Sequence, residues 1–242
     1  MELIPHIKNK IAKMFLRLGL NVSLVKKNEM LWLQNMGINT VIDIGANTGQ
    51  SAKLFHNILP DSFIYSFEPL DDCFLQLNSK MKNVHNFKSF KIALGDKKGL
   101  QKMHKNDSTP SSSLLEMDDL HKKLFPFTSH ETIETIEIDT LDNIAAKLDL
   151  RTNILLKIDV QGYEDKVLIG GMNTLKHVKV IIIEVTFKEL YKGQPLFSDI
   201  YDIMYKNGFA LSGIFGDELK NPNDGTPLQA DCIFINKHDF NL

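Results

Sequence analysis

Cysteine is scarce in this sequence: Cys73 and Cys232 are the only two in 242 residues. They stand far apart and lack the spacing of metal ligands, so a disulfide framework and a zinc site are both excluded. We expect two reduced thiols in a cytoplasmic protein. The formal net charge is only −2, which gives no reason to expect a nucleic acid as partner.

Long apolar runs are also missing, since no segment approaches the roughly twenty residues that a membrane-spanning helix needs. The segment Ile4–Leu20 instead places apolar residues on one helical face, among four basic residues. We predict a helix that packs on the domain or on a second subunit, so a homo-oligomer is possible. A helix lying on a membrane surface is the alternative, without stable insertion into the bilayer.

Apolar strands and helices alternate along most of the chain, which indicates a parallel sheet covered by helices on both faces. The predicted strands are Thr40–Ile44, Phe63–Phe67, Asn86–Ala93, Ile154–Asp159, Val178–Val185, Phe209–Ile214 and Ala230–Asn236. The predicted helices are Gln50–Ile58, Asp71–Met81, Glu164–Leu175 and Asp199–Asn207. We therefore expect an α/β fold with a mainly parallel, seven-stranded sheet over residues 38–242, preceded by an N-terminal helical segment over residues 1–37.

Three regions depart from this alternation. His104–Ser113 is rich in polar residues and predicts a mobile loop. Thr132–Ile138 alternates isoleucine with polar residues, which favours an antiparallel edge strand. Gly216–Gln229 contains two glycines and two prolines, and it predicts a long surface loop.

The strongest motif runs from the first predicted strand into a glycine turn and a helix. Gly45 would allow close approach of a ligand, and Gly49 would let the helix start near the sheet. The helix N-terminus would offer N–H groups to a carboxylate. The predicted cofactor contacts are Asp43, Gly45, Ala46, Asn47, Gly49, Gln50, Ser51, Glu68, Pro69, Ala93, Leu94 and Gly95.

The spacing of this motif distinguishes between two cofactors. A dinucleotide fingerprint requires G-x-G-x-x-G, whereas this turn has an acid, Asp43, two residues before its first glycine. That acid would repel a pyrophosphate, but it could orient the ammonium group of an amino-acid cofactor through water. Glu68, at the end of the second strand, could accept both hydroxyls of a ribose. These features together predict S-adenosylmethionine, and NAD is the alternative.

These residues resemble the FkbM family of methyltransferases from about Ile38 to Ile235. The resemblance rests on Ile42–Gln50, Phe67–Pro69, Ala93–Asp96, Ile138–Asp142 and Leu156–Glu164, in that order. It implies a Rossmann-like fold similar to class I methyltransferases, and methylation of hydroxyl oxygens, often on sugars or polyketides. One departure is Gln161, where the family more often has Glu.

Two charged residues, Lys157 and Asp159, lie in the very apolar fourth strand, and an isolated buried charge is costly. Strand periodicity puts both on one face, and Glu184 ends the neighbouring strand. We expect the three to converge near the transferred methyl group. Asp159 is the first candidate for the base that takes a hydroxyl proton, and Glu184 is the second. Lys157 would orient a carboxylate.

The two acids could also hold Mg²⁺, but no third ligand follows from the spacing, so we predict no metal. The expected activity is methyl transfer to a hydroxyl of a sugar, glycan or other small natural product. The alternatives are transfer to nitrogen, an NAD-dependent oxidoreductase of related fold, and a binding protein that retains the fold without catalysis. The sequence does not identify the acceptor.

Overall fold

A computed structural model describes residues 30–128 and 130–238 of the chain. The chain consists of two units, residues 1–32 and residues 33–242, and the fold described below is that of the second unit. The predicted helix at Ile4–Leu20 lies outside the described residues, so that helix and the segment boundary at residue 37 stay predictions.

Ten strands and seven α-helices form the described fold. The strands are β1 (Thr40–Ile44), β2 (Phe63–Phe67), β3 (Phe87–Phe90), β4 (Ala93–Gly95), β5 (Gly99–Asn106), β6 (Glu131–Thr140), β7 (Ile154–Ile158), β8 (Val178–Thr186), β9 (Phe209–Lys220) and β10 (Pro227–Asn236). The helices are α1 (Trp32–Asn35), α2 (Gln50–Ile58), α3 (Asp71–Met81), α4 (Asp119–Leu124), α5 (Leu141–Ala145), α6 (Glu164–Ile169) and α7 (Phe197–Lys206). Short 3₁₀ turns lie at Thr109–Ser111, Pro126–Thr128 and Thr174–His177.

A seven-stranded sheet forms the centre of the molecule, in the order β3-β2-β1-β7-β8-β10-β9. Its pairs are parallel except for those of β10, which runs antiparallel to β8 and β9. The strands β1 and β7 are buried at every position, because helices pack around the sheet. The predicted fold class is therefore confirmed.

A second, three-stranded sheet, in the order β4-β6-β5, was not predicted. The predicted strand Asn86–Ala93 is in fact two strands, β3 and β4, which belong to different sheets. The predicted edge strand is wrong in position, since β6 lies at the centre and pairs on both sides. Alternation of polar and apolar residues indicates which face is buried, but not how many neighbours a strand has.

Both regions predicted as loops are partly strands. His104–Asn106 belongs to β5, and a 3₁₀ turn follows it. The glycines and prolines of Gly216–Gln229 mark only a tight turn at residues 221–226, where the Gly225 N–H donates to the Asn221 carbonyl. Pro227 is tolerated because it is the first residue of β10. This segment is therefore a β-hairpin rather than a long loop.

Among the described residues, no helix is long and apolar enough to cross a membrane.

Candidate active site

The turn after β1 is held by its neighbours in the sheet. The N–H groups of Gly45 and Ala46 both donate to the Phe67 carbonyl at 3.0 Å. Gly45 has φ +79°, and a Cβ there would lie 1.8 Å from the carbonyl oxygen of Asp159. Glycine is therefore required because the backbone just after β7 passes so close, a reason that the local motif does not reveal.

Glu68 connects the end of β2 to this turn. Its Oε2 accepts the Asn47 N–H at 2.9 Å, and its Oε1 accepts the Leu70 N–H at 2.8 Å. Each carboxylate oxygen keeps a further lone pair, which can accept a ligand hydroxyl. Burial raises the pKa of Glu68 to about 7, although both backbone donors oppose that shift.

A cavity of about 290 Å³ lies at the carboxyl ends of the central strands. This is where ligands bind in open α/β sheets. Its wall includes Ile44, Gly45, Ala46, Asn47, Gln50, Ser51, Phe67, Glu68, Pro69, Leu70, Cys73, Ile92, Ala93, Leu94, Met103, Thr109, Pro110, Ser112, Leu114, Asp159, Val160, Gln161 and Glu184. One continuous space therefore joins the glycine turn and Glu68 to Asp159 and Glu184.

Most of the predicted site residues line this cavity, but four do not. Asp43, Gly49, Gly95 and Lys157 lie outside its wall. At Gly49 a Cβ would lie 2.8 Å from the Leu77 side chain, so this glycine allows α3 to pack closely. A role of these four residues in binding a cofactor or acceptor stays a prediction.

Asp43 is buried, and its Oδ2 accepts a hydrogen bond from the Ser66 hydroxyl at 3.1 Å. Burial raises its pKa to about 7, while Ser66 and Lys157 act in the opposite direction. Its carboxyl group is thus held inside the sheet, and its water-mediated contact with a cofactor stays a prediction.

The predicted convergence of charged groups is present. Register places Lys157 opposite Asp43 and Ile182, and Glu184 opposite Asp231. Asp159 lies two residues after Lys157, and Glu184 lies two residues after Ile182. Both acids therefore lie on the same face of the sheet as Lys157. The Lys157 ammonium lies 2.7 Å from Asp231 Oδ1 and 3.5 Å from Asp159 Oδ2.

An amide joins Asp159 and Glu184, two of the acids of the cavity wall. The Gln161 Nε2 donates to Asp159 Oδ1 at 2.9 Å and to Glu184 Oε2 at 2.7 Å. The Gln229 Nε2 also donates to Glu184 Oε2, at 2.9 Å, and the Tyr191 hydroxyl lies 3.2 Å from Gln161 Oε1. Polar groups of three segments therefore surround Glu184 and Asp159.

Within residues 30–128 and 130–238, no group of three or more metal-ligating side chains comes together. We call the group formed by Lys157, Asp159, Gln161, Glu184, Gln229 and Asp231 the acid cluster. Within it, the Lys157 ammonium lies between the carboxylates of Asp159 and Asp231.

Gln229 and Tyr191 were not predicted as site residues, and Asp231 and Gln161 had no predicted role. One signal was available, because Gln229 and Asp231 are two residues apart in an otherwise apolar stretch. Strand periodicity puts such a pair on one face. The expectation of a loop there concealed that signal.

Comparisons with known proteins show the family to which this chain belongs. A curated relative, the 2-O-methyltransferase NoeI of Sinorhizobium fredii, is 25% identical over 170 residues, which cover 68% of this chain and 70% of NoeI. Among solved structures, a methyltransferase FkbM from Methylobacillus flagellatus is 12% identical with a TM-score of 0.49. The match covers 82% of this chain and 43% of that chain, so this chain spans less than half of that protein.

The magnesium protoporphyrin IX methyltransferase ChlM from Synechocystis, solved with bound SAM, is 11% identical with a TM-score of 0.44. That match covers 98% of this chain and 86% of ChlM. The profile of the methyltransferase FkbM domain matches residues 43–211, which is most of the sequence. The chain therefore belongs to the FkbM family of methyltransferases.

Proposed function

We propose that this chain transfers a methyl group from S-adenosylmethionine to a hydroxyl oxygen of a sugar, glycan or other small molecule. The observation that carries the proposal is the single cavity that joins the glycine turn and Glu68 to Asp159 and Glu184. A donor held at the first two residues would bring its methyl group toward the two acids.

The cavity wall fits the two ends of this donor. Gln50 and Ser51 line it and begin α2, whose first N–H groups lack partners within the helix and favour a carboxylate. Glu68 supplies oxygens for the ribose hydroxyls. Ala93 and Leu94 give an apolar surface beside which an adenine ring could lie.

The charge of the wall favours this donor over NAD. Among the described residues that line the cavity there are three carboxyl side chains, those of Glu68, Asp159 and Glu184, and no Lys, Arg or His. Such a lining attracts a cationic sulfonium and repels a pyrophosphate. The Rossmann-type oxidoreductase alternative is therefore less favoured.

The residues of the chain have two tasks in such a reaction. They must align an acceptor oxygen with the methyl group, because the sulfonium is already a reactive methyl donor. They must also receive the acceptor's proton, and Asp159 and Glu184 are the two acids in the cavity wall that could do so. Oxygen as the acceptor atom is supported by the name of NoeI, a 2-O-methyltransferase.

Methyl transfer can be tested with S-adenosylmethionine labelled in its methyl group and a panel of neutral glycosides, their 2-deoxy analogues and amino sugars. We expect label in a glycoside product, with the methyl group on oxygen by NMR. Transfer only to the amino sugars, with the methyl group on nitrogen, would contradict the O-methyltransferase assignment.

A further inference from the structure

Glu184 is held from two sides through one oxygen. Its Oε2 accepts the Gln161 Nε2 at 2.7 Å and the Gln229 Nε2 at 2.9 Å. We propose that Glu184 is the residue that takes the proton of the acceptor hydroxyl, and that Gln161 and Gln229 are positioning residues that hold Oε2 and leave Oε1 for the acceptor. This inference rests on the proposed function.

Asp159 is less suited to receive that proton. The Lys157 ammonium lies 3.5 Å from its Oδ2, and the Gln161 amide donates to its Oδ1. Both oxygens of Asp159 therefore already face a donor. Glu184 accepts both of its hydrogen bonds on Oε2, which leaves Oε1 for the acceptor.

The orientation of the Gln161 amide is set by its surroundings. The carboxylate oxygens of Asp159 and Glu184 accept hydrogen bonds, which turns the Nε2 toward them. The Tyr191 hydroxyl lies 3.2 Å from Oε1 and 3.1 Å from the Ser111 carbonyl. The Gln161 backbone has φ +55°, and its carbonyl accepts the Ser113 hydroxyl at 2.6 Å. A non-glycine residue held in this conformation indicates a loop constrained by its contacts.

Charged groups from several elements face Glu184. Burial raises its pKa well above the usual value for Glu, and the negative charges of Asp159, Asp231 and Glu164 raise it further, whereas Lys157 lowers it. Tyr191 is itself buried, and its pKa is raised in turn. A raised pKa makes the carboxylate of Glu184 bind a proton more strongly, as an acceptor of the hydroxyl proton must.

The proposed step balances. The acceptor oxygen bonds to the methyl carbon, the carbon–sulfur bond breaks with its electron pair going to sulfur, and the hydroxyl proton goes to Glu184. The positive charge lost from the sulfonium equals the negative charge lost from the Glu184 carboxylate. No other reactant is required.

The charge of Glu184 beside the transferred methyl can be measured without knowing the acceptor. Sinefungin carries an amine-bearing carbon in place of the methylated sulfur, whereas S-adenosylhomocysteine has a neutral sulfur there. We would titrate both ligands calorimetrically over a series of buffers from about pH 5 to about pH 9, a span that starts just above the ordinary Glu pKa. The wild-type chain should prefer sinefungin, and the preference should grow with pH as Glu184 ionises.

The variant Glu184→Gln should lose about tenfold of this preference and its pH dependence, while its affinity for S-adenosylhomocysteine changes by less than about threefold. The retained affinity would also show that the variant is folded. If Glu184→Gln keeps the wild-type preference, or if Asp159→Asn removes the pH dependence instead, the proposal is overturned.

The positioning role predicts opposite shifts in two further variants. Gln229→Met removes a donor that stabilises ionised Glu184, so the preference should develop at higher pH. Asp231→Asn removes a neighbouring negative charge, so it should develop at lower pH. A purely structural role for Gln229 would weaken both ligands alike without a pH shift, and that result would contradict the proposal. If neither ligand binds the wild-type chain, the proposed function itself fails.

Discussion

Lys157 carries a buried positive charge in the middle of the central sheet. Its ammonium is flanked by Asp231 at 2.7 Å and Asp159 at 3.5 Å, with Asp43 opposite it in register. Removing one partner of a buried ion pair leaves the other charge uncompensated, which is strongly destabilising. The side chains of Asp159 and Asp231 are 35% and 26% exposed, respectively, so water reduces the loss of stability.

We predict that Lys157→Met lowers the free energy of unfolding by about 3 kcal/mol, at the lower end of the range for a broken buried pair. Lys98→Met is the matched control, since Lys98 is exposed and lies 3.9 Å from Asp139. Its effect should stay within about 0.5 kcal/mol. Urea unfolding of both variants measures this, and equal losses would contradict the role given to Lys157.

The residues of the acid cluster were only partly predictable. Lys157, Asp159 and Glu184 could be brought together from the sequence, because charge is rare in apolar strands and strand periodicity fixes the face. Gln161 and Gln229 could not, since a glutamine is ordinary at any surface position. The role of Gln229 depends on the pairing of β10 with β8, and that of Gln161 on the turn after β7, neither of which periodicity specifies.

The first half of the central sheet shows what local pattern can determine. The observed bounds of β1, α2, β2 and α3 are the predicted ones. Each of these strands is a short apolar run that ends at turn residues, so neighbouring residues in the sequence determine where it begins and ends. Strand β5 was missed because its alternation is weak, with Met103 and Asn106 buried, and its pairing partner β6 is far along the chain.

The turn between β1 and α2 allows a prediction at the scale of an element. A Cβ at residue 45 would strike the backbone of Asp159 at 1.8 Å, and backbone cannot rotate away. We predict that Gly45→Ala costs about 3 kcal/mol of stability and abolishes binding of S-adenosylhomocysteine.

Gly208→Ala separates this clash from backbone strain. Gly208 also has a positive φ, +84°, but no atom lies within 4 Å of its added Cβ. We expect a loss of about 1 kcal/mol and unchanged ligand affinity. Thermal unfolding and calorimetry would measure both variants. If the two variants lose the same stability and keep the same ligand affinity, the turn at Gly45 tolerates a side chain and the prediction is wrong.

At the scale of the molecule, buried carboxyl groups determine how stability depends on pH. Burial raises the pKa values of Asp43, Glu68 and Glu164 to about 7 each. In the unfolded chain these groups release their protons near pH 4, whereas in the folded chain they keep them until about pH 7. Their contribution to stability is therefore present at low pH and is lost as pH rises from about 4 to about 7.

Other groups act in the opposite direction. Hydrogen bonds lower the pKa values of Asp139 and Asp142 against their partial burial, so these two lose stability as pH falls below about 4. Burial lowers the pKa of His121, so this residue loses stability as pH falls below about 6.5. One histidine opposes these three carboxyl groups and Glu184, whose pKa burial also raises, so the carboxyl groups should dominate above about pH 5.

We predict that the free energy of unfolding is greatest near about pH 5 and falls by several kcal/mol by about pH 8. Asp43→Asn should reduce this fall, because its side chain no longer ionises. Urea unfolding over this range measures the profile. A free energy of unfolding that rises steadily from pH 5 to pH 8 would contradict the burial of these charges.

The central claim is that the cavity beside the glycine turn binds S-adenosylmethionine. Isothermal titration of the wild-type chain with S-adenosylhomocysteine, and separately with NAD, tests it most directly. We predict one molecule of S-adenosylhomocysteine per chain, with a Kd of about 10 μM or tighter, and no binding of NAD. Binding of NAD without binding of S-adenosylhomocysteine would contradict the claim.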